Sequence, residues 1–110
     1  MAQAVLPVEG LPGSPLDAAA AFHVRFVEQA RTALGAADNL VLVFEPGDHT
    51  HRRWRLAAIQ ELAREAAPKR VNAAVGTDQA AMTEVFAYLD AAPGITGQIL
   101  AVDGISGETR

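Results

Sequence analysis

The side chains best suited to chemistry cluster around residue 50. Glu45, Asp48, His49 and His51 fall within one short segment. Two histidines at this spacing can chelate a metal ion on an extended segment, and Glu45 with Asp48 could act as an acid and base pair. Alternatively, Asp48 or Thr50 caps the next helix and both histidines are solvated. No third His or Cys lies nearby, so we predict no metal site and favour the structural alternative.

The helix predicted to follow is basic on its outer side. Its arginines are Arg52, Arg53, Arg55 and Arg64. Such a cluster could bind a phosphate or an acidic partner. A solvated face, with Glu61 and Glu65 as i,i+4-type partners, is the favoured interpretation.

Composition restricts the classes of protein that this chain can belong to. Its 110 residues predict one domain spanning residues 1–110, and half of them are apolar. There is no cysteine, which excludes disulfides, thiolate zinc sites and a cysteine nucleophile. The net charge of −4 argues against a nucleic-acid partner. No apolar run is long enough for a membrane span, and no secretory signal is recognised, so a cytoplasmic location is expected.

Apolar runs bounded by turn residues alternate with helical patterns along the chain. Residues 39–44 are continuously apolar after Asn39, which is typical of a central parallel strand buried on both faces. Pro7 confines the weakest strand candidate to a sheet edge or ends it early. The alternation predicts an α/β fold with a small parallel sheet of about four strands and crossover helices. The predicted strands are 3–8, 39–44, 70–75 and 95–102, the predicted helices are 15–34, 50–67 and 78–91, and 103–110 is a tail.

The first predicted helix carries two apolar lines instead of one. Leu16, Ala20, Val24, Val27 and Leu34 form one line, and Phe22, Phe26, Ala30 and Ala33 form the other. A helix with two apolar lines needs two surfaces to bury them. One surface would be the sheet, and the second would be a neighbouring helix or a partner.

Two aromatic positions on the helices remain open to more than one interpretation. Trp54 is either an interface anchor or a core side chain that packs against the sheet. His23 lies among apolar residues, where a structural histidine is favoured.

Two segments resemble the carboxy-terminal half of short-chain dehydrogenases. Residues 64–76 read Arg-Glu-Ala-Ala-Pro-Lys-Arg-Val-Asn-Ala-Ala-Val-Gly, which is similar to the stretch after that family's catalytic helix. Residues 95–104 read Ile-Thr-Gly-Gln-Ile-Leu-Ala-Val-Asp-Gly, which closely resembles the family's last strand. Residues 84–89 fit the short helix before that strand. The resemblance covers residues 15–104 and implies half of a Rossmann-like fold.

The family's cofactor site has no counterpart in the sequence. The family holds its dinucleotide on a glycine-rich turn at a helix start, and no such glycine pattern occurs here. The strand that should end in serine ends in Phe44-Glu-Pro, and the only serines are Ser14 and Ser106. The family's Pro-Gly after the matched strand is Val75-Gly76, and its long substrate-binding loop is reduced to a few residues. We therefore expect no bound cofactor.

The family's catalytic pair is also replaced. A tyrosine moves the proton and a lysine four residues later lowers its pKa. Counting back from residues 64–76 places the tyrosine at Asp48 and the lysine at Arg52. Arginine does not deprotonate, and aspartate has no phenolic proton. The only tyrosine is Tyr88 and the only lysine is Lys69, both in other segments. No catalytic residue is expected.

The leading hypothesis is a non-catalytic protein, a pseudoenzyme that acts through homo- or hetero-oligomerisation. The family's helices on either side of its catalytic strand form a four-helix subunit interface, and this chain retains both of them. We expect a homodimer, or a scaffold or regulatory subunit of a full-length dehydrogenase, without nucleic acid or membrane. The predicted interface residues are Phe22, Phe26, Trp54, Ala58 and Leu62.

Two other hypotheses remain. One is a small enzyme or ligand-binding protein whose site lies at the carboxyl ends of the strands. Its candidate residues are Glu45, Asp48, His49, His51 and Arg52. The other is a diverged remnant without a selected activity, which the sequence does not distinguish from the leading hypothesis.

Overall fold

Four strands form one parallel sheet whose spatial order is the chain order. The computed structural model describes residues 2–102, so the predicted tail 103–110 lies outside the described residues. Residues 39–44 pair on both sides, as expected for a central strand. The α/β class and the parallel sheet of four strands are confirmed. The elements are β1 (Gln3–Val8), α1 (Pro15–Arg25), α2 (Val27–Gly35), β2 (Asn39–Phe44), α3 (Arg52–Ala66), β3 (Arg70–Val75), α4 (Gln79–Asp90) and β4 (Ile99–Ala101).

Alternation along β2 divides the interior into two layers. Leu40, Leu42 and Phe44 face the cluster that contains residues of α1, α2 and α3. Val41 and Val43 face the opposite cluster, which contains residues of α4. Because successive side chains of a strand point to opposite faces, a strand covered on both faces is apolar throughout.

The first predicted helix is interrupted at Phe26, which separates α1 from α2. Phe26 has φ −112° and ψ −20°, outside the usual helical values, although its N–H still donates to the Phe22 carbonyl. Its ring stacks on Phe22, with 6.0 Å between the centroids. α1 contacts α3, whereas α2 packs on β1 and β2. The interruption therefore lies where the chain turns from a helical neighbour to the sheet.

The last strand is shorter than the predicted range of 95–102. Gly97 has φ +76°, in the left-handed region that an extended strand does not use. Residues 95–98 instead form a loop that side chains attach to β3. Regular pairing begins only at Ile99, opposite Ala73.

Three buried polar side chains are satisfied within the chain. The Asn39 amide donates to Asp90 and accepts from Gln3. Asn72 and His51 each have two hydrogen-bond partners. Buried polar groups need such partners because desolvation is otherwise uncompensated. Pro7 lies on β1, which pairs with β2 alone, so its predicted edge position is confirmed.

Candidate functional site

The loop after β2 leads into α3 through a capped turn. Asp48 accepts hydrogen bonds from the backbone N–H of Thr50, at 2.9 Å, and from its hydroxyl. The hydroxyl bond is the main reason that the pKa of Asp48 is lowered. A 3₁₀ turn over His49–His51 follows, and α3 begins at Arg52. The predicted capping role of Asp48 is confirmed for this turn, whereas α3 itself begins after His51 without a side-chain cap.

His51 is buried, and both of its ring nitrogens are bonded. Nε2 lies 3.0 Å from the Gly13 carbonyl oxygen, which can only accept, so Nε2 carries the proton. Nδ1 then accepts from the indole N–H of Trp54 at 2.9 Å. The prediction that both histidines are solvated is correct for His49, which is exposed, and wrong for His51. His51 joins the start of α3 to the loop before α1.

The Arg55 guanidinium lies over an aromatic ring and beside a glycine. Its guanidinium carbon is 4.7 Å from the centroid of the Phe44 ring. A methyl group on Gly47 would approach the Arg55 Nη2 to 3.0 Å, so the lack of a side chain there leaves room for the guanidinium. The Arg55 Nε is buried without a hydrogen-bond partner. Burial lowers the pKa of Arg55, and the charges of Glu45 and Asp48 oppose this shift.

An open cavity of about 610 Å³ lies beside Arg55, at the carboxyl ends of β3 and β4. The polar part of its lining is formed by His49, Arg52, Arg55 and Gln98 together with Asp48. The apolar part is formed by Leu56, on the same helix as the arginines, and by Val75, Ile99 and Ala101 on β3 and β4.

The residues predicted to form a ligand or active site at the carboxyl ends of the strands are only partly brought together. Asp48, His49 and Arg52 line this cavity, whereas Glu45 and His51 line smaller clefts beside it. Within residues 2–102, no group of three or more His, Cys, Asp or Glu is arranged to hold a metal ion. Arg55 was not among the candidates for this site, although the sequence placed it in the basic cluster that could bind a phosphate. Its spacing of three residues from Arg52 on one helix was the signal that joins the two hypotheses.

The tyrosine and the lysine of the chain lie apart. Tyr88 is exposed on α4, which covers the face of the sheet opposite α3. Lys69 precedes β3 and donates to the Leu34 carbonyl at the end of α2. Ser14 caps α1, where it accepts from the Asp17 N–H. The structure therefore assembles no Ser, Tyr and Lys group within the part of the chain that it describes.

The predicted interface residues lie in the core of the single chain. Phe22 packs against the rings of Phe26, Phe44 and Trp54, so Trp54 is a core side chain in this fold. Ala58 and Leu62 are also buried. Three members of the set nevertheless line a groove of about 410 Å³ between α1–α2 and α3; they are Phe22, Ala58 and Leu62. Their role in an interface stays a prediction.

Charged side chains border this groove. Arg31 on α2 donates through Nε and Nη2 to both carboxylate oxygens of Glu65 on α3, at 2.7 and 2.9 Å. This bonding lowers the pKa of Glu65. Glu61 pairs with Arg64 on its own helix, as expected, but the same prediction for Glu65 is wrong, because Glu65 reaches the neighbouring helix.

One apolar line of α1 remains uncovered. Leu16 and Val24 are 84% and 81% exposed, and Ala20 between them is also exposed. At about 100° per residue, Ala20 and Val24 lie roughly 160° around the helix from buried Phe22. Large apolar side chains this exposed, at four-residue spacing on one helix, form a continuous apolar stripe. His23, beside the stripe, is exposed and its ring bonds to the Ala19 carbonyl oxygen.

The comparison with family models identifies the chain. Residues 6–102 match the family described as SDR-like, short chain dehydrogenase-like protein. The chain belongs to this family. The matched region begins within β1 and extends past β4, so it covers every described element of this SDR-like chain except the first half of β1. No curated protein and no solved structure matches it. None of the helices within residues 2–102 has the length and apolar character that a membrane crossing requires.

In this SDR-like chain, the two segments that carried the resemblance contact each other. Asn72 on β3 donates to the Ile95 carbonyl and accepts from the Gln98 N–H, both at 3.0 Å. The Thr96 hydroxyl accepts from the Val71 N–H at 3.1 Å. These bonds attach the loop before β4 to the centre of the sheet. The described part of the family signature is therefore structural.

Proposed function

We propose that this SDR-like chain does not transfer hydride and acts by associating with a second copy of itself through α1. The observation that supports this most directly is the stripe of Leu16, Ala20 and Val24. Nothing else in the described chain covers these side chains, whereas the opposite face of the same helix is fully packed.

The residues at the expected catalytic positions support the first part of the proposal. Asp48 accepts the capping bond from Thr50 and has no phenolic proton to transfer, and Arg52 places a planar guanidinium where the family has the compact ammonium of a lysine. Tyr88 and Lys69 lie in other elements and do not replace them. We therefore expect titration with NADH, followed by its fluorescence, to give no saturable change. Saturable binding to the purified chain would contradict this part.

The distribution of charge along α1 favours a second copy as the partner. Asp17 lies in the first turn, and His23 and Arg25 lie in the last turn. Two copies packed antiparallel about a twofold axis would bring the acidic end of each helix beside the basic end of the other. In this arrangement Ala20 faces its own counterpart at the crossing point, and Leu16 faces Val24.

The expected affinity follows from the apolar side chains that would be buried. Full burial of Leu16 and Val24 from both copies contributes about 6–12 kcal/mol, at ~1.5–3 kcal/mol for each side chain. Association itself costs about 4–15 kcal/mol in lost freedom. The two ranges overlap, and the most favourable balance of about 8 kcal/mol corresponds to a dissociation constant of about 1 micromolar, so the dimer should be weak and depend on concentration.

Sedimentation or light scattering at about 5 to 500 micromolar protein tests the proposal. Ala20→Glu places two like charges at the crossing point, which costs several kcal/mol and should weaken the dimer about a hundredfold or more. The matched control is Ala87→Glu, the same change at an exposed position on α4. A monomer at the highest concentration, or equal weakening by both variants, would contradict association through α1.

The hetero-oligomer hypothesis is tested by the same pair of variants. Purification of the tagged chain from its native host would recover a full-length dehydrogenase if that protein is the partner. Loss of the recovered protein with Ala20→Glu and its retention with Ala87→Glu would assign the α1 stripe to that contact.

A further inference from the structure

The described basic side chains divide into two groups. Five of them bond to backbone carbonyls or carboxylates; they are Arg25, Arg31, Arg64, Lys69 and Arg70. Within the described residues, Arg52, Arg53 and Arg55 make no hydrogen bond or ion pair. A buried guanidinium nitrogen without a partner is costly, because arginine stays charged and its donors lose water.

Two of these three unpaired arginines line the same cavity. Arg52 and Arg55 lie one helical turn apart on α3 and border the space of about 610 Å³ beside β4. His49 borders the cavity as well. Because α3 begins beside the cavity, the partial positive charge of the helix start adds to the charges of Arg52 and Arg55. Arg53, between the two, does not line the cavity.

The nearby carboxylates leave these cations available. Asp48 lines the cavity and its Oδ1 accepts two hydrogen bonds from Thr50, but within the described residues it forms no ion pair with Arg52. Glu45 and Asp48 interact with Arg55 only through their charge, since neither makes an ion pair with it within the described structure. Within residues 2–102, the Arg55 donors therefore have no hydrogen-bond acceptor.

The apolar lining of the cavity limits the kind of anion that fits. Leu56, beside the arginines on α3, and Val75, Ile99 and Ala101, on the strands, contribute apolar surface to the same cavity. A bare inorganic anion would leave this surface wet, whereas a ligand with a charged head and an apolar body would satisfy both the polar and the apolar parts of the lining. Ligand sites typically combine such apolar lining with a few convergent polar groups.

We propose that the cavity between α3 and β4 binds a small organic anion, with its carboxylate or phosphate group on Arg52 and Arg55 and its apolar body against Leu56, Val75 and Ile99. This site is on a different surface from the α1 stripe and does not depend on dimer formation. Arg55, held on Phe44, is oriented before the ligand arrives, and this lowers the entropy cost of binding.

Three probes of similar shape test the proposal by ¹H–¹⁵N NMR titration. Phenyl phosphate and benzoate carry the two candidate head groups, and benzyl alcohol is the uncharged control. We expect saturable shifts of the Gly47, Leu56, Gln98 and Ala101 amides with at least one anion, and at least tenfold weaker binding of benzyl alcohol. Preference for one anion identifies the head group. Equal binding of all three probes, or no saturable shift at these amides, would overturn the proposal.

Arginine variants separate the site from general surface charge. Arg52→Met and Arg55→Met should each weaken binding of the preferred anion about tenfold or more, because a guanidinium–anion hydrogen bond contributes ~1.5–3 kcal/mol. The matched control Arg53→Met removes the same charge from the same helix turn and should change affinity less than twofold. If Arg55→Met does not fold, the exposed Arg52 position still decides the question. Equal weakening by Arg52→Met and Arg53→Met would refute a defined site.

Discussion

The hydrogen bonds of His51 make a quantitative prediction about the start of α3. One ring nitrogen donates to the Gly13 carbonyl and the other accepts from the Trp54 indole. His51→Leu removes both bonds while it keeps an apolar side chain of similar size in a buried position. Trp54→Phe removes only the indole donor and keeps an aromatic ring against Phe22 and Phe44.

The expected loss can be worked out from the number of bonds. Each bond contributes about 1 kcal/mol net, so His51→Leu should lower the free energy of unfolding by ~2 kcal/mol. For a domain of this size, that corresponds to a fall in Tm of about 8–16 °C. Trp54→Phe should cost about 1 kcal/mol from the bond, plus a smaller packing loss. Since both variants remove the same bond, the double variant should cost about 1 kcal/mol less than the sum.

Urea unfolding is followed by far-UV circular dichroism for the wild-type protein, the two single variants and the double variant. Fluorescence does not serve here, because Trp54 is the only tryptophan and its replacement eliminates the signal. His49→Leu is the matched control at an exposed neighbouring histidine and should change stability by less than about 0.5 kcal/mol. A coupling energy below ~0.3 kcal/mol would refute the Trp54–His51 bond.

Three further changes probe other parts of the fold. Gly97→Ala should lower the free energy of unfolding in urea by about 1–2 kcal/mol, because φ of +76° strains an alanine. There is room for the methyl group itself, which would lie 3.7 Å from Gln60 Cγ. Asn72→Leu leaves two backbone groups of the loop before β4 unpaired and should cost about 2–4 kcal/mol, with amide exchange faster in β4 than in β2. The hydrogen bond from Arg31 lowers the pKa of Glu65. The stability that Glu65 contributes is therefore fully present above the pKa of the unfolded chain and is lost as the pH falls through the pKa of the folded chain. Glu65→Gln should therefore lower the free energy of unfolding at pH 7 and make its loss below about pH 4 less steep. If the dependence of stability on acidic pH is unchanged in the variant, this contribution is excluded.

The strands were predictable because their burial leaves a direct mark on the sequence. Residues 39–44 are apolar at almost every position, since both faces of β2 are covered. Pro7 indicated an edge, and β1 is an edge strand of the described sheet. Asp78, of a residue type favoured at helix starts, caps α4 by accepting a hydrogen bond from the Ala80 N–H. In each case one local rule decides the outcome without help from distant residues.

The features that were not predicted depend on contacts between distant residues. The length of β4 depends on Asn72, 23 positions before the Ile95 carbonyl that it binds. His51 is buried because Gly13, 38 positions away, offers a carbonyl oxygen. The two apolar lines of the first helix are confirmed in part. The line with Phe22 is packed, but the line with Leu16 is divided: Leu16 and Val24 on α1 are exposed, whereas Val27 and Leu34 on α2 pack with the core. Periodicity does not say which part of a line meets the sheet.

The residues that identify the family and the residues that would perform its chemistry are subject to different physical constraints. Asn72, Thr96 and Gly97 hold the loop before β4 against the sheet, so replacing them destabilises the fold. Asp48 and Arg52 occupy exposed positions at the start of α3, where a capping aspartate suits the helix and an arginine is tolerated. The fold therefore does not require a tyrosine and a lysine there. A chain can keep the family signature while the first turn of this helix changes from proton transfer to the binding of an anion.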